Sequence, residues 1–318
     1  MVDKVQRRLT ASSSFLAYGG RLQLIRSCLS SMPIFFLCSL DIPQGIIKQL
    51  NRIIRQCLWR GNNQDSSRQS LASWEMICKP KSSGGLGILD FKKQNQGLLM
   101  KQLHKFYNKE DLPWVNLVWR YYGDEVPHTA NLCGSFWWRD IMKLQQQYRH
   151  ICSVKVVTGS SVLFWEDTWN GVHLRAEYPR LYSYALDKQL SVKDVLLTAD
   201  IVDLFYLPLS QQAYEELQLL QGKLNTVQIQ ATGKDVWQTV WPGGKFTSSR
   251  YYHHCFKHIT ASTIYKWIWG SFLMLRIKVF AWLMVSDRLN TRDMLRRRHW
   301  NVTDELHCVL CPGHVVED

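Results

Sequence analysis

The sequence predicts a mainly α fold with two small β-hairpins, an α+β protein in which helices predominate. Over the first 110 residues, apolar side chains recur at the spacing of amphipathic helices, and prolines and glycines stand at the ends of the runs. Further along, short runs of valine and aromatic residues stand beside glycine-containing turns, which is typical of hairpins. With 318 residues, 46% of them apolar, the chain is long enough for two or three domains and a sizeable core.

Three helices are predicted in the N-terminal third, over residues 19–33, 43–61 and 95–107. Pro33 ends the first helix and Pro43 begins the second, because proline interrupts a helix but is tolerated in its first turn. In the second helix the apolar side chains share one face and the cations take the other. This pattern favours a helix that lies between a core and solvent.

A loop with three glycines, Gly84, Gly85 and Gly87, separates the second and third helices. Such a loop either cradles a phosphate or supplies backbone with positive φ or close packing. It lacks the lysine of a Walker motif, and no clear strand precedes it. The structural explanation is therefore favoured.

The remainder of the chain alternates between short strands and helices. The predicted elements are a hairpin from residues 154–157 and 162–165, an acidic helical segment over 191–220, a linker over 225–234, a hairpin from 236–241 and 245–247, a helix over 248–256, an aromatic-rich helix from Trp267 to Trp282, and a last helix from 290 to 298. The adjacent carboxylates Glu166 and Asp167 suit a catalytic or metal role, but a turn with a local cap is the commoner explanation.

The charge of the chain is basic and unevenly placed, with a formal net charge of +13. Residues 1–60 carry nine Lys or Arg against two acids, and residues 245–300 carry eleven against two. Residues 161–220 carry four against nine. Solvated helix faces would explain scattered charge, but they explain poorly why both ends of the chain have the same sign. The two basic blocks therefore favour an anionic partner, nucleic acid or a membrane surface.

Membrane insertion and secretion are not predicted. The apolar stretch 264–285 carries Lys266, Arg276 and Lys278, which are costly in hydrocarbon. The N-terminus is polar and basic rather than a secretory signal. Nine cysteines, an odd number, show no disulfide framework. We therefore expect reduced cysteines and an intracellular protein, nuclear or cytoplasmic.

Cys308 and Cys311 have the spacing of two zinc ligands near the end of the sequence. A closed structural site needs four ligands, and His307 or His314 is a weaker candidate. The chain as given is therefore expected to hold zinc weakly or not at all. His254 and His258, four residues apart on a predicted helix, could also face one metal, but such local pairs are usually incidental.

Four segments in order along the chain resemble the C-terminal part of the reverse transcriptase polyprotein of plant LINE-type (non-LTR) retrotransposons. They are residues 16–25 (LAYGGRLQLI) with 30–33 (SSMP), residues 58–61 (LWRG) with 79–87 (KPKSSGGLG), residues 162–165 (VLFW) with Asp167 and Trp169, and residues 276–282 (RIKVFAW) with 288–295 (RLNTRDML) and Cys308–Cys311. Each segment alone is weak evidence for the family, whereas the four segments in this order are specific to it and span nearly the whole chain.

The resemblance implies three regions. Residues 1–110 resemble a helical thumb or connection, residues 111–234 a linker region with a hairpin and an acidic helical segment, and residues 235–318 a reverse-transcriptase zinc-binding module. In the family that module continues to a further histidine and cysteine, so the module is expected to be C-terminally truncated here. The chain also lacks the adjacent aspartates of the polymerase palm, so we expect no enzyme activity.

In the family this region helps to hold RNA and DNA, and phosphate contacts by cations would serve that role without reading sequence. The predicted phosphate contacts are Arg52, Arg55, Arg60, Lys278, Arg288, Arg292, Arg296, Arg297 and Arg298. No small-molecule substrate is expected, and the oligomeric state is left open. The alternative is an inert or protein-interaction remnant of a degenerate retroelement.

Overall fold

The structure is a computed structural model. It describes residues 2–12, 16–61, 70–122, 135–260 and 262–297. Within these ranges helices predominate beside one small four-stranded sheet, which confirms the mainly α prediction. The α-helices are α1 (Val2–Ser12), α2 (Tyr18–Leu24), α3 (Ile34–Ser39), α4 (Gln44–Trp59), α5 (Trp74–Cys78), α6 (Phe91–Tyr107), α7 (Pro113–Tyr122), α8 (Phe136–Met142), α9 (Gln145–His150), α10 (Leu174–Glu177), α11 (Pro179–Ser183), α12 (Val192–Leu197), α13 (Gln211–Leu224), α14 (Ser248–His254), α15 (Thr263–Gly270), α16 (Leu275–Val285) and α17 (Arg292–Arg297). The strands are β1 (Cys152–Lys155), β2 (Thr168–Trp169), β3 (Val172–His173) and β4 (Val236–Thr239).

The chain is organised as two compact units. The first unit comprises Met1–Phe36, Ile42–Lys92 and His253–Asp318. The second comprises Leu37–Asp41 and Lys93–Tyr252. The first unit therefore combines the two ends of the chain, which carry the two basic blocks. The three regions that the resemblance implies stay a prediction.

In the first unit, α4 has the two faces that its sequence predicts. Its apolar residues Ile47, Leu50 and Ile54 are buried, while Arg52 and Arg55 are exposed. The helix packs on α1 and α2 through the buried face. Burial of one apolar stripe against neighbouring helices is what stabilises a surface helix of this length.

The close contact of α2 with α16 depends on Gly19. A Cβ atom built at Gly19 would stand 2.8 Å from the backbone nitrogen of Arg276. Any larger residue would push the two helices apart, because real Cβ contacts are longer than this. The first and fourth of the family-like segments therefore meet here, backbone to backbone.

The glycine loop after α5 has the structural role that was predicted. Gly84 and Gly87 have φ values of +82° and +66°, in the left-handed region that favours glycine. A Cβ atom at Gly85 would overlap the carbonyl oxygen of Lys79. The loop thus uses glycine both for positive φ and for close packing, and it includes a 3₁₀ turn at Lys81–Ser83.

The aromatic-rich segment forms two helices, α15 and α16, rather than the one helix predicted. Helix α15 ends at Gly270, and Ser271 adopts extended backbone with ψ 160°. The Ser271 hydroxyl donates to the carbonyl oxygen of Ile268 at 2.8 Å, which satisfies a carbonyl that the helix end leaves unpaired. Among the described residues, no helix is both long and apolar enough to cross a bilayer.

The sheet lies in the second unit, with strand order β3-β2-β1-β4. Strand β1 pairs antiparallel with β4, with Val154 opposite Trp237, and parallel with β2, with Ser153 opposite Thr168. The predicted partners 162–165 and 245–247 are not strands, so both predicted hairpins are wrong in their pairing. Their first strands, within 154–157 and 236–241, instead pair largely with each other.

A carboxylate explains why the first predicted hairpin does not form. Asp235 accepts the backbone N–H groups of Val157, Thr158 and Gly159 at 2.8–2.9 Å. It also accepts the Ser161 hydroxyl at 2.8 Å. These bonds hold the turn after β1 as a loop around a buried anion, so its backbone donors are not available to a hairpin ladder.

A hairpin does occur at β2 and β3, where the sequence carries an Asn-Gly pair. Asn170 and Gly171 have φ values of +49° and +82°. Positive φ at both central residues is characteristic of the tight turns that match the twist of two antiparallel strands. This signal was present in the sequence and was missed.

Most of the aromatic residues near the sheet form core. The rings of Tyr107 and Tyr148 stack with centroids 5.4 Å apart, and Trp237 lies 4.4 Å from Tyr107. Trp237 is almost wholly buried. In the acidic segment, α12 and α13 confirm the helical prediction for part of residues 191–220, while the stretch between them contains only a 3₁₀ turn at Ile201–Leu204.

Candidate nucleic-acid interface

Two of the predicted phosphate contacts, Arg55 and Arg288, meet at one cavity of the first unit. Arg55 projects from the exposed face of α4, and Arg288 follows α16. The cavity has a volume of about 340 Å³ and is lined by Arg55, Ser70, Leu71, Ala72, Ser73, Trp74 and Arg288. The two residues are 233 positions apart in sequence, so only the fold brings them together.

The cavity combines cations with an indole ring. The guanidinium carbon of Arg55 lies 5.4 Å from the centroid of the Trp74 ring, within the range of a cation–π contact. The Nε atom of Arg288 is buried and has no hydrogen-bond partner among the described residues. Together with the Ser70 and Ser73 side chains, the cavity can offer positive charge, hydroxyl groups and an aromatic surface to one ligand.

A second group of cations surrounds Trp269 on α15. Lys278, another predicted contact, donates to the carbonyl oxygen of Trp269 at 3.2 Å. Arg26 and Lys81 lie over the Trp269 ring, and Arg26 also donates to the carbonyl oxygen of Leu86. Of this group, only Lys278 was predicted from the sequence as a phosphate contact.

The surroundings of this group disfavour the charged forms of Lys81 and Arg26. The pKa of Lys81 is lowered because burial disfavours the ammonium form and because Arg26 and Lys278 repel it. Burial also lowers the pKa of Arg26. A lysine whose charged form is disfavoured by burial and by two neighbouring cations is suited to contact with an anionic ligand.

The other predicted phosphate contacts whose side chains the structure describes lie outside both of these groups of cations. Arg52, Arg296 and Arg297 are exposed, and Arg60 caps the end of α4. Arg297 pairs with Asp287 at 3.0 Å, a surface ion pair of the kind that contributes little to stability. For Arg292 the structure describes the backbone at the start of α17 and not the side chain, and Arg298 lies outside the described residues.

The predicted zinc ligands Cys308 and Cys311 lie outside the described residues, as do His307 and His314. Among the residues that the structure does describe, no group of three His, Cys, Asp or Glu side chains could hold a metal. Helix α14 ends at His254, before the predicted end at Phe256, and a turn follows. His254 and His258 therefore do not share one helical face.

The adjacent carboxylates Glu166 and Asp167 have separate structural partners. Asp167 is fully buried, pairs with Arg149 and accepts the Leu163 N–H at 2.7 Å. Glu166 accepts from Arg175 at 3.0 Å and from the Tyr182 hydroxyl at 2.9 Å. The structural explanation thus accounts for both side chains.

A known protein family matches the C-terminal segment of the chain. Residues 246–318 match the family described as zinc-binding in reverse transcriptase. These residues are thus a region related to the reverse transcriptases of retrotransposons, which confirms the predicted resemblance at that level. The matched segment includes Trp269, Lys278 and Arg288, whereas Arg26 and Lys81 precede it.

A relative covers the rest of the chain. The sequence is 23% identical over 330 aligned positions to an Arabidopsis thaliana protein named "Putative ribonuclease H protein". The alignment covers 99% of this chain and 52% of that protein. The chain therefore spans about half the length of this relative.

Proposed function

We propose that the chain is a non-catalytic region of a plant LINE-type retroelement protein and that it holds RNA or DNA through phosphate contacts inside the cell. The observation that carries this proposal is the convergence of Arg55 and Arg288 beside Trp74 in an open cavity. The net charge of +13 and the reverse-transcriptase-related segment at residues 246–318 support it.

The chemistry of the cavity suits a single strand better than a duplex groove. Guanidinium groups contact phosphates without reading base identity, and an indole can stack on an unpaired base. The serine hydroxyls add donors to phosphate or sugar oxygens. We therefore expect binding that is sequence-tolerant and strongly dependent on salt.

The proposed absence of catalysis rests on sequence chemistry. Nucleotidyl transfer by two metal ions needs carboxylates that converge on one site, and no two aspartates are adjacent anywhere in the 318 residues. Primer extension on an oligonucleotide template with magnesium is the test. DNA synthesis above a blank would contradict this part of the proposal.

The zinc part of the proposal concerns Cys308 and Cys311, which lie within the matched segment. Thiolates are preferred zinc ligands, and the family's description supports a zinc role here. In a competition assay against a chelator, Cys308→Ser together with Cys311→Ser should abolish whatever zinc the chain retains. Cys28→Ser is the control, and equal zinc loss in both proteins would contradict the assignment.

Fluorescence anisotropy of a labelled single-stranded RNA, measured across salt concentrations, tests the binding proposal. Replacing Arg55 and Arg288 together by glutamine should weaken binding and flatten the slope of log K against log salt by about 1.4, since each single-strand phosphate contact contributes about 0.7. Arg180→Gln, an exposed site within the net-acidic residues 161–220, is the matched control and should change neither quantity.

Two results would contradict the binding proposal. An unchanged affinity and slope in the double variant would show that the cavity does not contact phosphates. Binding of the unaltered chain that does not depend on salt, or no binding at all, would favour the inert or protein-interaction alternative.

A further inference from the structure

Three cations from separate parts of the chain contact Trp269, two of them over its indole ring and the third at its backbone carbonyl oxygen. The guanidinium carbon of Arg26 lies 5.8 Å from the ring centroid, and the Nζ atom of Lys81 lies 5.0 Å from it. The Nζ atom of Lys278 lies 3.2 Å from the carbonyl oxygen of the same residue. Arg26 belongs to the π-helical turn after α2, Lys81 to the glycine loop and Lys278 to α16. All three cationic residues are half-buried.

The positive charge of this group is not balanced by acids in the described part of the chain. No described carboxylate lies within ion-pair distance of Arg26, Lys81 or Lys278. The lowered pKa of Lys81 reflects burial and the repulsion of the other two cations. Partly buried like charges are destabilising, and a bound anion would remove that repulsion.

The group also holds hydrogen-bond donors that are not used. The Nε atom of Arg26 and the Nε1 atom of Trp269 are buried, and neither has a hydrogen-bond partner among the described residues. Buried N–H groups are nearly always paired in folded proteins, because an unpaired donor keeps the full cost of its desolvation. An oxyanion is a suitable partner, since it accepts several hydrogen bonds at once.

The glycine loop is shaped to admit this arrangement. A Cβ atom at Gly87 would stand 3.1 Å from Nη2 of Arg26 and 3.4 Å from Cγ of Lys81. With a φ of +66°, Gly87 also has backbone that other residues rarely adopt. Glycine at this position thus lets both cations lie against the loop.

We propose that Arg26, Lys81 and Lys278, with the indole N–H of Trp269, form a phosphate-binding site, and that a nucleic-acid phosphodiester is its ligand. This inference rests on the proposed function and adds a phosphate site separate in residues from the Arg55–Arg288 cavity. Arg26 and Lys278 each donate to a backbone carbonyl and still retain further donors. Lys81 is the cation of the group that is freest to contact the ligand directly.

The test is ¹⁹F NMR of the full chain labelled with 5-fluorotryptophan, titrated with inorganic phosphate against chloride at constant ionic strength. The Trp269→Phe variant assigns the Trp269 resonance. If that variant does not fold, Lys81→Gln assigns it, since the ammonium lies 5.0 Å from the ring. We expect a saturable shift with phosphate that chloride does not reproduce.

Lys81→Gln should weaken phosphate binding at least five-fold, whereas Lys48→Gln, an exposed lysine on α4, should leave it unchanged. A Trp269 resonance that stays still, that moves equally with chloride, or that responds to phosphate equally in the two variants would overturn the site.

A second titration with a single-stranded RNA distinguishes this inference from the proposed function. The phosphodiester assignment is supported if RNA shifts the Trp269 resonance at lower concentrations than phosphate does. Excess phosphate should then reverse the shift that RNA causes. If phosphate moves the resonance but RNA binds nowhere, the phosphodiester assignment fails together with the proposed function. If RNA binds with a salt dependence and Trp269 does not respond, the site fails while the proposed function stands.

Discussion

Trp282 donates its indole N–H to the carbonyl oxygen of Gly84 at 2.8 Å, across 198 positions of sequence. Both residues are buried, and the bond joins α16 to the glycine loop. The segment that matches a reverse-transcriptase family is therefore packed on a loop far upstream of it. The same loop carries Lys81, so the position of the loop also determines where the Lys81 ammonium lies over the Trp269 ring.

Trp282→Phe should lower the free energy of unfolding by about 2–4 kcal/mol, because it leaves a buried carbonyl unpaired and a smaller ring in a packed site. Chemical denaturation measures the change. Trp267→Phe is the control on α15, since Trp267 is 75% exposed, and it should have little effect. Equal losses in the two variants would mean that the bond to Gly84 does not stabilise the unit.

Gly85→Ala should destabilise the first unit by about 3 kcal/mol, since the new methyl group would overlap the carbonyl oxygen of Lys79. Gly45→Ala offers a matched comparison on α4, where a Cβ atom meets nothing within 4 Å. That change should stabilise the protein by about 0.5–1 kcal/mol, because alanine favours helix more than glycine does. Thermal unfolding of both variants should thus give shifts of opposite sign.

Asp235→Asn should cost about 2 kcal/mol at neutral pH, because an amide cannot accept all the backbone N–H groups that the carboxylate accepts. Burial raises the pKa of Asp235, but the hydrogen bonds from Gly159, Val157, Ser161 and Thr158 outweigh it, and the pKa is lowered overall. A lowered folded-state pKa gives stability that is present above the unfolded value of about 3.9 and is lost as the pH falls through the folded value.

Denaturation at a series of pH values checks this sign. The gap in stability between the unaltered chain and Asp235→Asn should be wide at pH 7 and should narrow below about pH 4. Asp203→Asn, at an exposed site, should show no such gap. A gap that stays constant down to acidic pH would show that the carboxylate charge is not what holds the loop.

The buried pair of Arg149 and Asp167 should behave as a unit. Removing either partner alone leaves a buried charge, so Arg149→Met or Asp167→Leu should each cost about 3–5 kcal/mol. The double variant should cost clearly less than the two losses together, as a double-mutant cycle will measure. Additive losses would argue against direct coupling. The exposed pair Lys143–Asp140 is the comparison and should contribute little.

Local patterns predicted α4 and α6 well because the signals of these helices are local, whereas α1, α7, α8 and α9 were not predicted. The amphipathic spacing of α4 and the proline before it identify both its extent and its buried face. The glycine loop was likewise interpreted correctly from three glycines near one another. The pairing of β1 with β4 was not predicted, because its partners are separated by more than 80 residues and nothing local specifies the register.

The sequence predicted individual residues of the candidate interface but not which of them lie close together. Arg55 and Arg288 were each chosen for their charge, and only the fold shows that they share a cavity. Arg26 and Lys81 were missed because a single cation in a helix or loop is indistinguishable from a solvated one. Arg26 and Lys81 become recognisable as a candidate site only because both lie over the ring of Trp269, which belongs to a third segment of the chain.

Ultraviolet cross-linking of a single-stranded RNA to the full chain, followed by mass spectrometry of the digested protein, tests the central claim most directly. The account predicts nucleotide-modified peptides from the first unit, within residues 44–60, 70–87 and 263–297, and their loss at high salt. Cross-links confined to residues 93–252, or none at all under conditions that cross-link a known RNA-binding protein, would contradict it.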